Sequence, residues 1–378
     1  MTLLLELNDA ELSLYRNGAP IYQQPAVAHV SDAGNRFGDE ALKMTRLLPQ
    51  QANQQYLSRL NADPLPVAGK QAANHADLVY QHLLELRPLV TEELVVAVPG
   101  TLTNDQLGVL LGIAQEAGVN IAGFVDTAVL MASAIELPTN AWVLDLHQNL
   151  ACLTELDVGD ELRRRKAETL SGCGFMSCVD GWAQLLADRF VQDTRFDPLH
   201  AADTEQQLYD QIHAWSRGRD SGDDFTIDIM HNGHVRRAHV NRAALQSKLS
   251  QRFRLLAQKL PSSASVVVSP RSAALPGLLG ALDDLDIKAT PIEADALVTG
   301  FARHAEMLSK GELRLVTQLP YEHVVREVAP AAPGATHVLL GNRAYPLANN
   351  PFGLPSEGKL GDVVTKDDKT YQLIVVEA

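Results

Sequence analysis

Residues 95–134, VVAVPGTLTNDQLGVLLGIAQEAGVNIAGFVDTAVLMASA, decide the fold class of this chain. They begin with a short apolar run that Pro99 ends, which is typical of a buried strand. Thr103 then predicts the start of a helix, because Gln106 completes a capping box three residues later, and Gly118 ends that helix. A further strand and a short helix of small residues follow. Strands that alternate with helices in this way indicate an α/β fold.

The next segment, residues 141–158 (AWVLDLHQNLACLTELDV), predicts two apolar strands joined by a tight turn. The turn consists of His147, Gln148 and Asn149 and contains no glycine. The first strand carries a single acid, Asp145, shortly before this turn. That placement makes Asp145 a candidate functional residue.

The two halves of the chain follow the same order of elements. The first opens with a hairpin around Asn17-Gly18, and the second contains one around Asn232-Gly233. Each half continues with helices and buried strands, which predicts a duplicated mixed sheet flanked by helices. From residue 311 the pattern changes to strands, with turns at Gly341-Asn342 and Asp367-Asp368. Residues 311–378 are therefore expected to form a small C-terminal β module.

Composition limits the function classes. The 378 residues carry a formal net charge of −14, which argues against nucleic-acid binding. No apolar run approaches the roughly 18 residues that a membrane span needs. The N-terminal residues show no signal-peptide pattern and the chain has only three cysteines, so we expect a cytoplasmic protein. Cys173 and Cys178 lack a second cysteine pair, and no metal site is expected.

The order of these elements resembles the actin-like ATPase superfamily, in its heat-shock chaperone (DnaK-like) branch, over about residues 1–308. Residues 95–134 are similar to that family's central strand, Val-Pro turn and helices. The hairpin 141–158 stands where the family has its second phosphate-binding hairpin, and SVVVSPRSAALPGLL (265–279) stands where it has the adenosine-binding strand, loop and helix. The resemblance implies two actin-like lobes followed by the β module, with bounds 1–140 plus 285–310, 141–284 and 311–378.

Both phosphate-binding hairpins depart from the family pattern. In active members, glycines let backbone N–H groups approach the ATP phosphates. Here Glu6 keeps the acid of the first hairpin, but Asn8, Asp9 and Ala10 replace its Gly-Thr-Thr turn. In the second hairpin, residues 147–150 replace Gly-Gly-Gly-Thr. These side chains fill the space that the phosphates need, and the added carboxylate of Asp9 would repel them.

Of the other positions in the family pattern, some are replaced and one keeps the family's residue type. Ser58 or Arg59 stands at the lysine position, and Ser269-Pro270 replaces the Gly-Gly of the adenosine loop. The acid before the small-residue helix is retained as Asp126. The resemblance implies a set of candidate nucleotide-binding residues, which are Asp145, His147, Gly172, Gly174, Ser269 and Arg271. If the protein is an active ATPase, the resemblance also implies three catalytic acids, which are Asp145, Asp126 and Glu6.

Two interpretations of Asp145 remain open. As a functional group it is the acid of a metal-water or phosphate site, and as a structural group it bonds His147 or a turn amide. The pair would also suit a general base with an orienting acid, but no nucleophile is identifiable in the sequence.

Three functions follow from the resemblance. The first is a pseudo-ATPase that has lost efficient hydrolysis and works by binding a protein partner. The second is an ATP-binding, chaperone-like ATPase with an altered phosphate site, which uses ATP or ADP with Mg²⁺. The third is a chaperone-like peptide binder that uses an exposed strand edge of residues 311–378.

Overall fold

The structure is a computed structural model that describes most of the chain. The described residues are 3–217, 224–261, 264–310, 313–322, 337–340, 343–346, 352, 363–366 and 369–374. The turns expected at residues 341–342 and 367–368 lie outside them. Within the described part, no helix combines the length and the apolar character that crossing a bilayer requires.

Strands and helices alternate along the chain, as the α/β prediction requires. In chain order the strands are β1 (Leu3–Glu6), β2 (Leu12–Arg16), β3 (Ala19–Gln24), β4 (Ala28–His29), β5 (Arg36–Phe37), β6 (Ala52–Asn53), β7 (Pro64–Gly69), β8 (Ala72–Asn74), β9 (Leu94–Val98), β10 (Ile121–Asp126), β11 (Ala141–Leu146), β12 (Leu150–Val158), β13 (Glu161–Ser171), β14 (Asp224–His231), β15 (His234–Asn241), β16 (Ser265–Val268), β17 (Lys288–Pro291), β18 (Leu315–Val316), β19 (Gln318–Pro320), β20 (His337–Leu340), β21 (Arg343–Pro346), β22 (Val363–Lys366) and β23 (Lys369–Ile374). The α-helices are α1 (Gly38–Leu42), α2 (Tyr56–Arg59), α3 (His75–Leu86), α4 (Asn104–Glu116), α5 (Thr127–Ala132), α6 (Phe175–Thr194), α7 (Ala202–Arg217), α8 (Arg242–Ala257), α9 (Pro270–Ala273), α10 (Leu278–Asp283) and α11 (Ala296–Lys310).

Two six-stranded mixed sheets form the centre of the fold. The first has the order β18-β10-β9-β1-β2-β3, and the second has the order β17-β16-β11-β12-β13-β19. In each sheet, three strands that follow one another in the chain pair antiparallel: β1, β2 and β3 in the first sheet, and β11, β12 and β13 in the second. Two further strands continue each sheet in parallel from the first of these, β9 and β10 beside β1, and β16 and β17 beside β11. Apart from β18 and β19, the two sheets therefore repeat one five-stranded topology, and the mixed α/β prediction is confirmed at this level.

Local sequence signals are confirmed where they are strongest. Asn17 and Gly18 connect β2 to β3 with φ values of 51° and 79°, and this left-handed pair matches the twist of a tight hairpin. Thr103 and Gln106 form both bonds of the predicted capping box at the start of α4. Gly118, with φ of 71°, follows the end of that helix.

Three apolar clusters hold this part of the chain together. One joins the first sheet to α3 and α4, and another joins the second sheet to α6, α7, α8 and the β14–β15 hairpin. The third contains residues of both sheets together with α5 and α11. Gly300 makes the α5–α11 contact close, since a Cβ there would lie 2.1 Å from the Leu130 carbonyl oxygen.

Two expected boundaries differ from the structure. Residues 313–322 were expected in the C-terminal module, but β18 pairs with β10 of the first sheet and β19 pairs with β13 of the second. The compact unit consequently reaches His323. β17 was expected in the first lobe, yet it extends the second sheet beside β16 because their backbones pair in parallel. Such short strands leave no periodic pattern in the sequence.

The second compact unit, Val324–Ala378, contains a four-stranded antiparallel sheet in its described residues. The strand order is β21-β20-β23-β22. Its small core is built on Val338 and Tyr371, with the ring of Phe352 5.1 Å from that of Tyr371.

Candidate functional site

Two turns from the two central sheets meet at the candidate site. One turn joins β1 to β2, and the other joins β11 to β12. Asn8 Nδ2 donates to Asp145 Oδ2 at 2.9 Å and to the Leu146 carbonyl at 3.2 Å. Asp9 Oδ1 accepts a 2.6 Å hydrogen bond from the backbone N–H of Gln148. Side chains of the first turn therefore satisfy polar groups of the second.

His147 lies between two carboxylates of this contact and is buried. Its Nδ1 is 3.4 Å from Asp9 Oδ1, and its Nε2 is 3.9 Å from Asp145 Oδ2. Burial alone would lower the pKa of His147, but the Asp9 hydrogen bond and the charges of Asp9 and Asp145 outweigh it and raise that pKa. A protonated His147 would offset part of the negative charge that the two turns bring together.

Arg271 supplies a second cation at the same place. It donates from Nη2 to the Glu6 carboxylate, and its Nε lies 3.5 Å from Asp145 Oδ1. Burial raises the pKa of Glu6 to about 7, although the Arg271 guanidinium opposes the shift. Glu6 and Asp145 in turn raise the pKa of Arg271 despite its burial. Arg271 thus joins the ends of β1 and β11.

The serines at the start of α9 complete the surroundings of Asp145. Ser269 Oγ donates to Asp145 Oδ1 at 2.5 Å and lies 2.7 Å from Ser272 Oγ. Ser272 Oγ accepts from the Leu146 backbone N–H at 2.9 Å. Among the described residues, the hydrogen-bond partners of Asp145 are therefore the side chains of Asn8 and Ser269, with Arg271 and His147 beside them.

The loop before α6, with Gly172 and Gly174, packs against the turn between β11 and β12. A Cβ at Gly174 would lie 2.3 Å from the Leu150 nitrogen, so only glycine allows this approach. The Phe175 N–H donates to the His147 carbonyl and the Met176 N–H donates to the Gln148 carbonyl, each at 2.9 Å. The first amides of α6 are therefore occupied by the turn itself.

Asp126, the remaining candidate acid, caps a helix and pairs with an arginine. Its Oδ1 accepts from the Val129 N–H at 3.1 Å and caps α5, while its Oδ2 lies 2.7 Å from Arg164 Nη1. Burial raises the pKa of Asp126, and the Arg164 guanidinium opposes that shift. Glu6, Asp145, His147, Ser269 and Arg271 do come together, and Gly172 donates its N–H to Asn149 at 3.2 Å.

Little space remains around this cluster. A cavity of about 20 Å³ is lined by Asp9 and His147, and one of about 60 Å³ is lined by Glu11 and Arg271. Ligand pockets in proteins typically occupy roughly 300–1,000 Å³, so these cavities have room only for a few water molecules. A larger groove of about 520 Å³ lies along α8, α9 and α10, and residues 273–277, from the segment compared with the family's adenosine-binding loop, line part of it.

A second set of contacts ties the segment after α1 to α6 and α7. The Arg46 guanidinium lies 3.7 Å from the centre of the Tyr209 ring and 2.9 Å from Asp180 Oδ1. Gln206 accepts from the Arg46 backbone N–H at 2.8 Å and donates to the Leu42 carbonyl at 3.1 Å. These contacts also fix the first half of the chain to the second half, in addition to those between the two turns.

Sequence reasoning missed several of these partners. The sequence marks Asn8 and Asp9 only as replacements of a glycine turn and Ser272 only as a position that fits the family's adenosine loop, and it gives no signal for Arg46. Two adjacent turn-forming residues, Asn8 and Asp9, between apolar strands are the signal by which this turn can be found in the sequence. No protein-family profile and no curated protein matches the sequence. Among the described residues, no three His, Cys, Asp or Glu side chains are grouped as ligands for a metal ion.

Proposed function

We propose that the protein is a degenerate member of the actin-like ATPase superfamily that binds a protein partner and does not hydrolyse ATP. Two repeated mixed sheets with helices around them support the family assignment, in the order that the resemblance implies. The observation that carries the functional part is the bond from the Gln148 N–H to the Asp9 carboxylate. In active members, the amides of such a turn face phosphate.

The charges at the site support the same proposal. Glu6, Asp9 and Asp145 are buried at the meeting point of the two turns, where an ATP phosphate chain would add further negative charge. Arg271 is already engaged by Glu6. A bound phosphate would have to displace the Asp9 carboxylate and then compete with it for the same amide.

Loss of hydrolysis follows from the loss of donors. Removing one preorganised donor to a transition state costs about 2.7–4 kcal/mol, or roughly a hundred- to a thousandfold in rate. Both glycine turns and the lysine of the family pattern are replaced here, so little activity would remain even if the losses are not additive. The contacts between the halves of the chain favour a fixed scaffold for protein binding, and the three unpaired cysteines suit the reducing cytoplasm.

The test is the thermal stability of the full chain with millimolar Mg-ATP or Mg-ADP. We expect no shift of the melting temperature. Nucleotide at a hundredfold excess over Kd would stabilise the folded state by about 2.7 kcal/mol, which such a measurement detects. A shift that Asp145→Ala abolishes would overturn the proposal and favour the ATPase alternative. A shift that Asp145→Ala leaves intact would indicate nucleotide binding elsewhere.

A further inference from the structure

The two edges of the β14–β15 hairpin differ in whether their outward backbone groups are hydrogen-bonded. The edge of β14 is closed by two glutamines that stand four residues apart on α7. Gln207 accepts from the Met230 N–H at 2.8 Å and donates to the Met230 carbonyl at 3.1 Å. Gln211 makes the same pair of bonds with Asp228, at 3.0 and 2.7 Å. Each side-chain amide therefore takes the place of a peptide group in a neighbouring strand.

The outer edge of β15 has no such cover. Asp228 and Met230 direct their backbone groups to α7, so the residues opposite them, Arg237 and Val235, form non-hydrogen-bonded pairs across the hairpin. Arg237 and Val235 then direct their own N–H and C=O groups away from β14, and His239 does the same by alternation. Within the described part of the chain, no group bonds these outward backbone groups.

The side chains along this edge are apolar and basic. Met230 and Val235 are paired across the strands and are 51% and 53% exposed. Residues 234–241 (HVRRAHVN) contain two arginines and no acid, in a chain of net charge −14. Arg237 is paired with Asp228 at 2.6 Å, whereas Arg236 Nε is buried without a hydrogen-bond partner among the described residues.

We propose that the outer edge of β15 is a docking site for an extended, acidic segment of a partner protein, which adds to the hairpin as a third strand. The main-chain groups of Val235, Arg237 and His239 would supply the pairing, and the basic side chains would select an acidic strand. A second copy of β15 is excluded as the occupant, because antiparallel pairing would bring two basic strands together. The inference names the partner surface of the proposed function.

Basic residues on an edge can also serve only to prevent aggregation, and the experiment separates the two roles. The full-length protein is titrated into a fluorescein-labelled peptide of alternating Val and Glu, with a Val and Lys peptide as the control for charge. Fluorescence anisotropy should show binding of the acidic peptide alone, weakened by salt. Equal binding of both peptides, or no binding at millimolar protein, overturns the proposal.

Two matched variants test the backbone pairing itself. Arg237→Val and Arg237→Pro both remove the guanidinium, but only proline removes the outward N–H. Neither substitution removes a backbone hydrogen bond within the hairpin, because the backbone hydrogen bonds from β15 to β14 come from the residues on either side of Arg237. We expect the proline variant to bind the acidic peptide about tenfold more weakly than the valine variant. Equal affinities would rule out strand addition. If Arg237→Pro does not fold, the same comparison is made at Val235, where the peptide affinity of Val235→Pro is compared with that of Val235→Thr. A nucleotide-induced melting shift that Asp145→Ala abolishes would refute the proposed pseudo-ATPase without affecting this result.

Discussion

The Asp9 carboxylate accepts a 2.6 Å hydrogen bond from the backbone N–H of Gln148, which lies 139 residues further along the chain. The bond closes the contact between the turns of the two central sheets. Because Gln148 is buried, its amide depends on the Asp9 carboxylate for hydrogen bonding. The two halves of the chain are thereby held together without a ligand.

Replacing Asp9 by Ala should destabilise the protein by about 1–3 kcal/mol, because the Gln148 N–H would be buried without an acceptor. Urea unfolding measures the loss. The control is Asp32→Ala. The Asp32 side chain is 69% exposed, and its ion pair with Lys70 Nζ is long, at 3.8 Å, so little stability depends on it. That change should stay within about 0.5 kcal/mol. Equal effects of the two substitutions would contradict the structural role of Asp9.

Stability should fall as the pH rises through neutrality, because the folded-state pKa values of Glu6 and His147 are both raised. For each group the stabilisation is complete below its unfolded pKa, near 4.5 for Glu6 and 6.5 for His147. It is lost as the pH rises through the folded value, which is about 7 for Glu6. Glu6→Gln should remove the part of this loss between pH 4.5 and 7. An unchanged profile of unfolding free energy against pH would refute the assignment to Glu6.

His82 should act in the opposite direction at acidic pH. Its ring nitrogens lie 2.7 Å from the hydroxyls of Tyr22 and Tyr56, and burial lowers its pKa to about 3. The stabilisation is present above the unfolded pKa of 6.5 and is lost as the pH falls towards the folded value. His82→Gln should therefore flatten the acidic limb of the unfolding profile while lowering stability at neutral pH. A limb as steep as that of the wild type would assign the acid loss to other groups.

Truncation should distinguish residues 313–322 from the unit that follows. A chain that ends at His323 keeps β18 and β19 and should unfold cooperatively. One that ends at Lys310 loses both strands and the buried side chains of Leu319 and Tyr321. Leu319→Ala in the longer chain should cost about 2–5 kcal/mol, since it empties a fully buried position. Calorimetry of the two truncated chains checks the division, and equal melting temperatures would contradict it.

Gln207→Ala and Gln211→Ala should each open the edge of β14 at one residue. We expect faster hydrogen exchange at the Met230 amide in the first variant and at the Asp228 amide in the second, because each loses its acceptor. The amide that retains its glutamine serves as the internal control in each protein. Unchanged exchange at both amides would show that the glutamines do not protect this edge.

The sequence predicted those parts of the fold that neighbouring residues determine. The turn at Asn232-Gly233 has φ values of 51° and 76°, and Thr103 with Gln106 forms the predicted capping box. The partners of Asp145 could not be predicted in this way, because Asn8 and Ser269 are 137 and 124 residues away from it. Their contact depends on how the two sheets are placed.

The roles of single charged residues were the least predictable. Asp126 follows a strand and precedes a helix, a pattern that suits both a catalytic acid and an N-cap. The Arg164 contact and the bond to the Val129 N–H favour the N-cap. The neighbouring basic residues 163–166 (RRRK) are paired with Glu155, Glu161, Glu168 and Asp126.

The pairing of residues 315–320 with both central sheets has a consequence for biosynthesis. Neither sheet has its last strand until this segment, near the end of the first compact unit, has left the ribosome. Earlier nascent chains expose the unpaired edges of β10 and β13, which are sites for pairing with other chains. Chaperone engagement during translation should therefore persist until Tyr321 has emerged.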